Sequence, residues 1–129
     1  MKYVYPALFA TEPEGISVTF PDLPDCATSG ETLQEAVEMA ADALALTLYD
    51  MEEDSRPIPN ATEPRKVIVP ENAVMSLVAC DTLEYRKMFD SKAVKKTLTI
   101  PSWLNKAAER ENINFSAVLQ NALRSQLHL

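Results

Sequence analysis

The chain is poor in the residues on which most enzyme sites depend, with one histidine, two cysteines and two glycines among 129 residues. The histidine, His128, is the penultimate residue, where chains commonly fray, so histidine-based catalysis is disfavoured. Cys26 and Cys80 lack the spacing of zinc ligands or redox pairs, and two buried reduced thiols are expected. With glycines only at positions 15 and 30, no glycine-rich phosphate-binding loop can form. We therefore expect no cofactor, no metal site and no catalytic residue.

Long hydrophobic runs are also lacking, although 47% of the residues are hydrophobic. No apolar stretch approaches the roughly 20 residues that a membrane-spanning helix requires. The opening segment 1–15 contains a single lysine and reaches acidic residues early, unlike a secretory signal peptide. A cytoplasmic protein without membrane contact is expected.

Charge is distributed unevenly along the chain. Residues 1–91 contain 6 Lys and Arg against 17 Asp and Glu, a net charge of −11, whereas residues 92–129 contain 6 against 2, a net charge of +4. This division indicates two modules with different partners, although charge that only keeps the protein soluble is the simpler alternative. The acidic part would repel nucleic acid, whereas the basic part is suited to a phosphate backbone.

The beginning of the chain predicts three strands. Residues 2–10 are rich in aromatic and β-branched side chains, and Pro6 places this strand at a sheet edge or a bulge. Residues 16–20 alternate with period two and predict a second strand that completes a hairpin. Residues 21–25 end that strand, and a short third strand is predicted over residues 26–28.

A helix and a fourth strand follow. Thr32 and Glu35 have the spacing of a capping box at a helix start. The apolar stripe expected to cover the sheet consists of Leu33, Val37, Ala40, Ala41, Leu44 and Leu48. The nearly continuous apolar run within residues 72–80 predicts a buried central strand. The resulting β-β-β-α-β order predicts an α+β fold.

Several of these residues stand in an order typical of one family: Tyr5-Pro6-Ala7 with Phe9, Phe20-Pro21-Asp22-Leu23-Pro24, and Thr28, Gly30, Thr32 and Glu35. Over residues 3 to about 80 the chain resembles the HicB antitoxins. The resemblance implies a partial RNase H-like fold for residues 1–81. It also implies that the chain binds and silences a HicA toxin, a small ribonuclease with a double-stranded-RNA-binding-like fold, and performs no catalysis itself.

The carboxylates of this part have two interpretations. A functional RNase H-type nuclease would need inward-facing carboxylates to hold Mg²⁺, including one in the first strand, and residues 2–10 contain none. A divergent nuclease is therefore disfavoured. Complementary charge toward a basic toxin makes candidates of four loop carboxylates, Glu12, Glu14, Asp22 and Asp25. Turn capping and solubility explain each of them equally well.

Residues 94–129 predict one strand and two helices. Residues 95–100 alternate as a strand, Pro101 opens the first helix, and Asn114 is the N-cap of the second. The second helix carries an apolar face of Val118, Leu119, Ala122, Leu123 and Leu127. These elements are too few to bury a core, and a lone strand needs a partner. Antiparallel pairing of two copies would bury Leu98 and Ile100 and leave a basic, hydroxyl-rich ribbon outside.

This pattern resembles the ribbon-helix-helix proteins of the Arc, MetJ and CopG group. The resemblance implies two sets of DNA contacts: the strand residues Lys95, Thr97 and Thr99 reading bases in the major groove, and the amides of Asn114, Phe115 and Ser116 holding a phosphate. Lys96 stands where many relatives have an apolar side chain, so it frays or reaches a phosphate. Asn112 replaces the usual glycine between the helices. An ordinary edge strand with solvated side chains is the alternative.

The combined prediction is a type II antitoxin that is also an autorepressor. A toxin-binding domain (1–81), a linker (82–93) and a domain for dimerisation and DNA binding (94–129) would act on a HicA toxin and a palindromic operator. The linker is either a short docked helix or a free tether, and oligomers beyond the homodimer, such as a tetramer, stay open. A stand-alone DNA-binding regulator with a ligand-sensing N-terminal domain is the alternative.

Overall fold

The structure, a computed structural model, describes all 129 residues and has an α+β fold. The chain divides into two compact units, Met1–Lys92 and Ala93–Leu129, which are described separately below. None of its helices combines the length and the apolar character needed to cross a membrane.

The first unit contains a four-stranded antiparallel sheet and two helices. Its elements are β1 (Lys2–Glu12), β2 (Gly15–Phe20), β3 (Leu23–Gly30), α1 (Leu33–Glu53), β4 (Ala73–Asp81) and α2 (Thr82–Phe89), with a single 3-10 turn at Pro64–Lys66. The strand order is β3-β2-β1-β4. Helix α1 covers one face of the sheet, and the core lies between them.

The connections between β1, β2 and β3 are tighter than expected. Glu12 pairs with Gly15 across a two-residue hairpin loop. The prediction that residues 21–25 form a turn was wrong for its second half, because only Pro21 and Asp22 turn the chain and β3 already begins at Leu23. Pro24 can lie within β3 because this strand is at the edge of the sheet, where a missing N–H breaks no ladder.

Pro6 lies in a strand that is central over only part of its length. The ladder between β1 and β2 begins at Leu8, whereas the ladder between β1 and β4 runs from Lys2 to Ala10. Pro6 therefore has a strand on one side only, opposite Leu77. The predicted edge location is right for this position, although β1 as a whole is an inner strand.

Helix α1 begins as predicted but presents a different face to the sheet. Thr32 is the N-cap, and its Oγ1 accepts a hydrogen bond from the Glu35 amide at 3.1 Å. Leu33 and Val37 of the predicted stripe are 63% and 51% exposed. The side chains of α1 that are buried are instead Ala36, Ala40, Leu44, Ala45 and Leu48. Close approach explains the difference, because a Cβ at Gly30 would lie 2.4 Å from the Ala36 amide nitrogen, so only a small side chain fits there.

The prediction of a buried central strand for residues 72–80 was wrong. The strand forms as β4, but it lies at the sheet edge, and among its apolar side chains only Val78 is buried. Val74 and Leu77 are 69% and 52% exposed. An uninterrupted apolar run is typical of a strand covered on both faces, whereas α1 covers only one face here and no strand of this chain lies beyond β4.

Helix α2 occupies the beginning of the predicted linker. Its N-cap Asp81 accepts a hydrogen bond from the Leu83 amide at 2.9 Å. The Tyr85 ring lies 5.2 Å from that of Tyr49 on α1, and the Arg86 guanidinium lies 4.7 Å above the same Tyr49 ring. This helix is therefore docked on α1 within the first unit.

The second unit consists of two helices, α3 (Ser102–Arg110) and α4 (Phe115–Leu127). The predicted strand over residues 95–100 is not formed in this single chain, where residues 91–101 have no regular secondary structure. A strand is defined by its hydrogen-bonded neighbour, and the single chain offers none to this segment.

Candidate functional sites

The second unit has an apolar surface with nothing of its own to cover it. None of its residues is buried. The large apolar side chains that stand exposed include Leu98, Ile100, Trp103, Leu104, Val118, Leu123 and Leu127. The α4 residues among them belong to the predicted inner face, as does the half-buried Leu119. Without a core, this unit lacks the main source of folding free energy.

The predicted base-reading residues lie in the irregular segment that precedes α3. Lys95, Lys96, Thr97 and Thr99 are all exposed. None of their side chains makes an ion pair or a hydrogen bond within the chain. Their side chains are therefore available to another molecule, but the single chain does not arrange them as a ribbon.

The start of α4 has the predicted local structure. Asn112 adopts a positive φ of 54°, which is the left-handed conformation that was expected of it. Asn114 is the N-cap, and its side chain accepts a hydrogen bond from the Ala117 amide at 3.0 Å. The amides of Asn114, Phe115 and Ser116 donate no hydrogen bond within the chain. Such unpaired amides at a helix N-terminus favour an anion.

The two units differ in the sign of their charge. Met1–Lys92 contains 7 Lys and Arg against 17 Asp and Glu, a net charge of −10, and Ala93–Leu129 contains 5 against 2, a net charge of +3. The units therefore suit partners of opposite charge.

Four carboxylates of the first unit gather at one end of the sheet. Glu12 and Glu14 flank the β1–β2 hairpin, and Glu31 and Glu35 lie where β3 leads into α1. Together they line an open depression of about 440 Å³. None of the four makes an ion pair, and only Glu12 accepts a side-chain hydrogen bond, from Ser17 Oγ at 3.3 Å. We call these four residues the acidic end.

Sequence reasoning found only half of this cluster. Glu31 was not considered, and Glu35 was interpreted solely as a capping residue. The signal that was available is the position of Gly30 immediately before both of them, since β3 ends there. That end of β3 must lie beside the β1–β2 hairpin in an antiparallel meander.

The other two predicted carboxylates lie elsewhere. Asp22 is in the β2–β3 turn and Asp25 is exposed on β3, at the opposite end of β2 from the hairpin, roughly 17 Å away along the strand. Asp22 Oδ2 accepts a hydrogen bond from the Thr62 amide at 3.0 Å, and its Oδ1 accepts one from Thr62 Oγ1 at 2.5 Å. Asp22 therefore holds the loop that contains Thr62 against the sheet.

Glu52 forms the most connected polar network of the first unit. Its Oε2 accepts hydrogen bonds from Tyr3 Oη at 2.8 Å and from Thr82 Oγ1 at 3.0 Å, and its Oε1 accepts one from Arg86 Nη2 at 3.2 Å. Burial alone would raise the pKa of Glu52, but the hydrogen bonds from Tyr3, Thr82 and Arg86 lower it below its ordinary value. Burial together with Glu52 raises the pKa of Tyr3 to about 12.

The cysteines and other potential ligands form no reactive cluster. Both cysteines are free thiols, and Cys26 is buried whereas Cys80 is only partly so. Burial raises the pKa of Cys26, and burial with the nearby Asp81 and Glu52 raises that of Cys80 to about 11, so both thiols stay protonated at neutral pH. The structure brings together no three histidine, cysteine, aspartate or glutamate side chains in a metal-binding arrangement.

Comparison with known proteins places these features in a family. A family model described as "HicB_like antitoxin of bacterial toxin-antitoxin system" matches residues 5–123. Antitoxin HicB 2 of Photorhabdus laumondii is 27% identical over 123 residues, which are 94% of this chain and 88% of that protein. Antitoxin HicB of Escherichia coli K12 is 47% identical over 57 residues, 43% of this chain and 41% of that protein.

Solved structures are similar over nearly the whole chain. A toxin-antitoxin complex from Streptococcus pneumoniae contains a chain that is 29% identical, with a TM-score of 0.64 over 98% of this chain and 99% of that one. The crystal structure of antitoxin HicB3 is 24% identical, with a TM-score of 0.53 over 96% of this chain and 97% of that one, and shows the shared fold.

Proposed function

Since the chain belongs to the family of HicB_like antitoxins of bacterial toxin-antitoxin systems, we propose that it neutralises a HicA-type mRNA interferase by direct binding and represses its own operon by binding operator DNA. The observation that carries this proposal is the division of the chain into an acidic unit with a complete core and a basic unit with none. Each unit then has a separate partner, and the chain itself acts by occlusion and not by catalysis.

We assign toxin binding to the first unit, with a partial RNase H-like fold, and to its loop carboxylates. At the acidic end, Glu12 and Glu14 are joined by Glu31 and Glu35. An RNA-cleaving toxin must attract phosphates, so its active-site face is expected to be basic and complementary to this end. Asp22 and Asp25 form a second, weaker candidate contact, because Asp22 is already engaged by Thr62.

We assign DNA binding to a ribbon-helix-helix dimer of the second unit. Two copies that pair residues 95–100 antiparallel would supply the missing strand neighbour and cover the exposed apolar side chains of α3 and α4. Lys95, Thr97 and Thr99 then emerge together on the ribbon as base readers, with Lys96 toward the phosphates. The unpaired amides at Asn114, Phe115 and Ser116 hold a phosphate beside the ribbon.

Co-expression tests the toxin half of the proposal. The small open reading frame beside the gene, expressed alone, is expected to arrest growth, and this chain is expected to relieve the arrest and to co-purify with the product. A toxic product that this chain neither binds nor relieves would contradict the proposal.

Binding to the upstream DNA tests the second half. The full chain is expected to shift a palindromic fragment from its own promoter in a salt-dependent manner. Val118→Asp, which places a charge on the expected dimer face of α4, should abolish the shift but leave toxin binding intact. Asn105→Asp, on α3 outside that apolar face, serves as a charge-matched control. Equal DNA binding by the Val118→Asp variant would rule out the dimeric reader.

A further inference from the structure

The two edges of the sheet in the first unit differ in how they are protected. The β3 edge carries Pro24, which has no N–H to offer, and the exposed Asp25. Both are typical devices that prevent an edge strand from pairing with another chain. The β4 edge has neither, because Ala73 to Cys80 contains no charged residue and no proline.

The side chains of β4 are suited to a neighbour on both faces of the sheet. Ala73, Met75, Leu77 and Ala79 share the face that α1 leaves open, and Val74, Ser76, Val78 and Cys80 share the other. Leu77 is 52% exposed although it is a large apolar residue in the middle of the strand. On β1, Val4 extends this apolar surface, half exposed and opposite Ala79.

We propose that β4 pairs with β4 of a second copy of this chain, antiparallel across a two-fold axis at Leu77. In this register the two sheets join into one, and both copies keep α1 on the same side. Opposite residues lie on the same face, and large side chains meet small ones: Met75 lies opposite Ala79, and Val74 lies opposite Cys80. Asp81 falls opposite Ala73, so no like charges meet across the seam.

Charge favours a second copy over the toxin as the occupant. A basic partner gains affinity from carboxylates, and the edge from Ala73 to Cys80 offers none. The carboxylates of the acidic end lie elsewhere, beside the hairpin and the start of α1. An uncharged strand with apolar side chains on both faces is complementary to itself.

The size of the interface fits a contact that works within a larger assembly. Nine paired residues make a seam about 30 Å long and about 10 Å deep, which is below the roughly 800 Å² per partner of a typical independent interface. The proposed dimer of the second unit raises the local concentration of first units and strengthens the seam. The pairing thus rests on the proposed function for its strength, whereas its location follows from β4 alone.

Cysteine cross-linking tests the register. In the full chain, Leu77→Cys is expected to form a covalent dimer under mild oxidation, because residues opposite each other in an antiparallel pair lie within disulfide distance. Ile68→Cys is the matched control, since Ile68 is 89% exposed in a loop outside β4. Cross-linking of Leu77→Cys no faster than that of Ile68→Cys would overturn the proposal.

Sedimentation separates the seam from the dimer of the second unit. The full-length Val118→Asp variant is expected to remain dimeric at high protein concentration through β4, and Val118→Asp with Leu77→Lys to be monomeric. Thr19→Lys, on the same open face but within β2, replaces Leu77→Lys as control and should leave the dimer intact. A Val118→Asp variant that is monomeric at every concentration would refute the seam.

The toxin provides the remaining outcome. Leu77→Lys is expected to co-purify with the toxin as well as the wild type does, and its melting curve shows whether the unit is folded. If Leu77→Lys releases the toxin and leaves the oligomeric mass unchanged, β4 is a toxin surface and the second copy is excluded. Failure of the wild type to bind any toxin would instead contradict the proposed function and leave the cross-linking result standing.

Discussion

Glu52 is a single carboxylate that ties three elements of the first unit together. It lies near the end of α1 and accepts hydrogen bonds from Tyr3 of β1 and from Thr82 and Arg86 of α2. Thr82 is the only buried polar residue of the core region, so its hydroxyl depends on this network for partners. The position of α2 against α1 therefore rests on the ionised form of Glu52.

The lowered pKa of Glu52 predicts a stability difference that depends on acid. A folded pKa below the unfolded value contributes stability that is present above the unfolded pKa, about 4.3, and is lost as the pH falls. Glu52→Gln should reduce the free energy of unfolding by about 1–3 kcal/mol near neutral pH, and by less near pH 3 to 4, roughly where the wild type is protonated as well. Urea denaturation at both pH values measures this. An equal loss at both, or an equal loss in the more exposed Glu53→Gln, would contradict it.

The raised pKa of Tyr3 predicts a second difference, at alkaline pH. Because the folded pKa of about 12 exceeds the unfolded value, the hydrogen-bonded phenol contributes stability that is complete below about pH 10 and is lost as the pH rises. Tyr3→Phe should lose about 1 kcal/mol near neutral pH, and this deficit should narrow as the pH approaches that of the folded Tyr3. Parallel urea titrations of the two proteins provide the test, and a deficit that is constant with pH would refute the assignment.

Thr97 and Lys96 are predicted to contribute to DNA binding in different ways. Thr97→Ala should reduce discrimination between the operator and variants of it by about 1–3 kcal/mol, with toxin binding unchanged. Lys96→Ala should weaken all sequences alike and reduce the slope of log K against log salt by about 1. Titrations of operator and scrambled DNA at several salt concentrations distinguish the two effects. Unchanged sequence preference in Thr97→Ala would show that residues 95–100 pair in another register.

At the scale of elements, local signals were predictable and tertiary ones were not. The capping by Thr32, the left-handed Asn112 and the N-cap Asn114 all follow from side chains that bond to their own neighbourhood, and all are confirmed. The face that α1 buries was mispredicted, since it depends on the approach of Gly30 from another strand.

The location of β4 and the composition of the acidic end have the same limitation. The apolar run of β4 fixes a strand but not its neighbours, and the chain order does not reveal that its outer side is empty. Glu31 and Glu35 reach Glu12 and Glu14 only through the sheet register. Sequence therefore predicts the elements and their caps, and pairing decides which side chains share a surface.

The packing of α1 against β3 predicts a specific intolerance at Gly30. A Cβ there would lie 2.8 Å from the Cα of Ala36, a backbone atom that cannot move without shifting the helix. Gly30→Ala should therefore destabilise the first unit by about 1–3 kcal/mol. Ser29→Ala, an exposed neighbour in the same strand, is the control. Equal urea midpoints for the two variants would show that α1 does not depend on this approach.

At the scale of the whole molecule, the charge division separates two association reactions. The net charge of −10 on the first unit and of +3 on the second means that salt weakens both reactions, but through different residues. Toxin association should depend on the acidic end, and DNA association on the lysines and amides of the second unit. Changes in one unit can then be measured against the other as an internal reference.

Neutralising the acidic end should slow toxin association more than it speeds dissociation. Surface charges steer encounter, so combined Glu12→Gln, Glu14→Gln, Glu31→Gln and Glu35→Gln changes should lower the association rate about 10-fold or more at low salt. The difference should vanish at high salt, and DNA affinity should not fall. Glu63→Gln with Glu71→Gln, two exposed carboxylates of the same unit away from this end, provides the charge control. Stopped-flow mixing with purified toxin at several salt concentrations measures both rates. Equal slowing by the control pair would mean that net charge, and not the acidic end, directs the toxin.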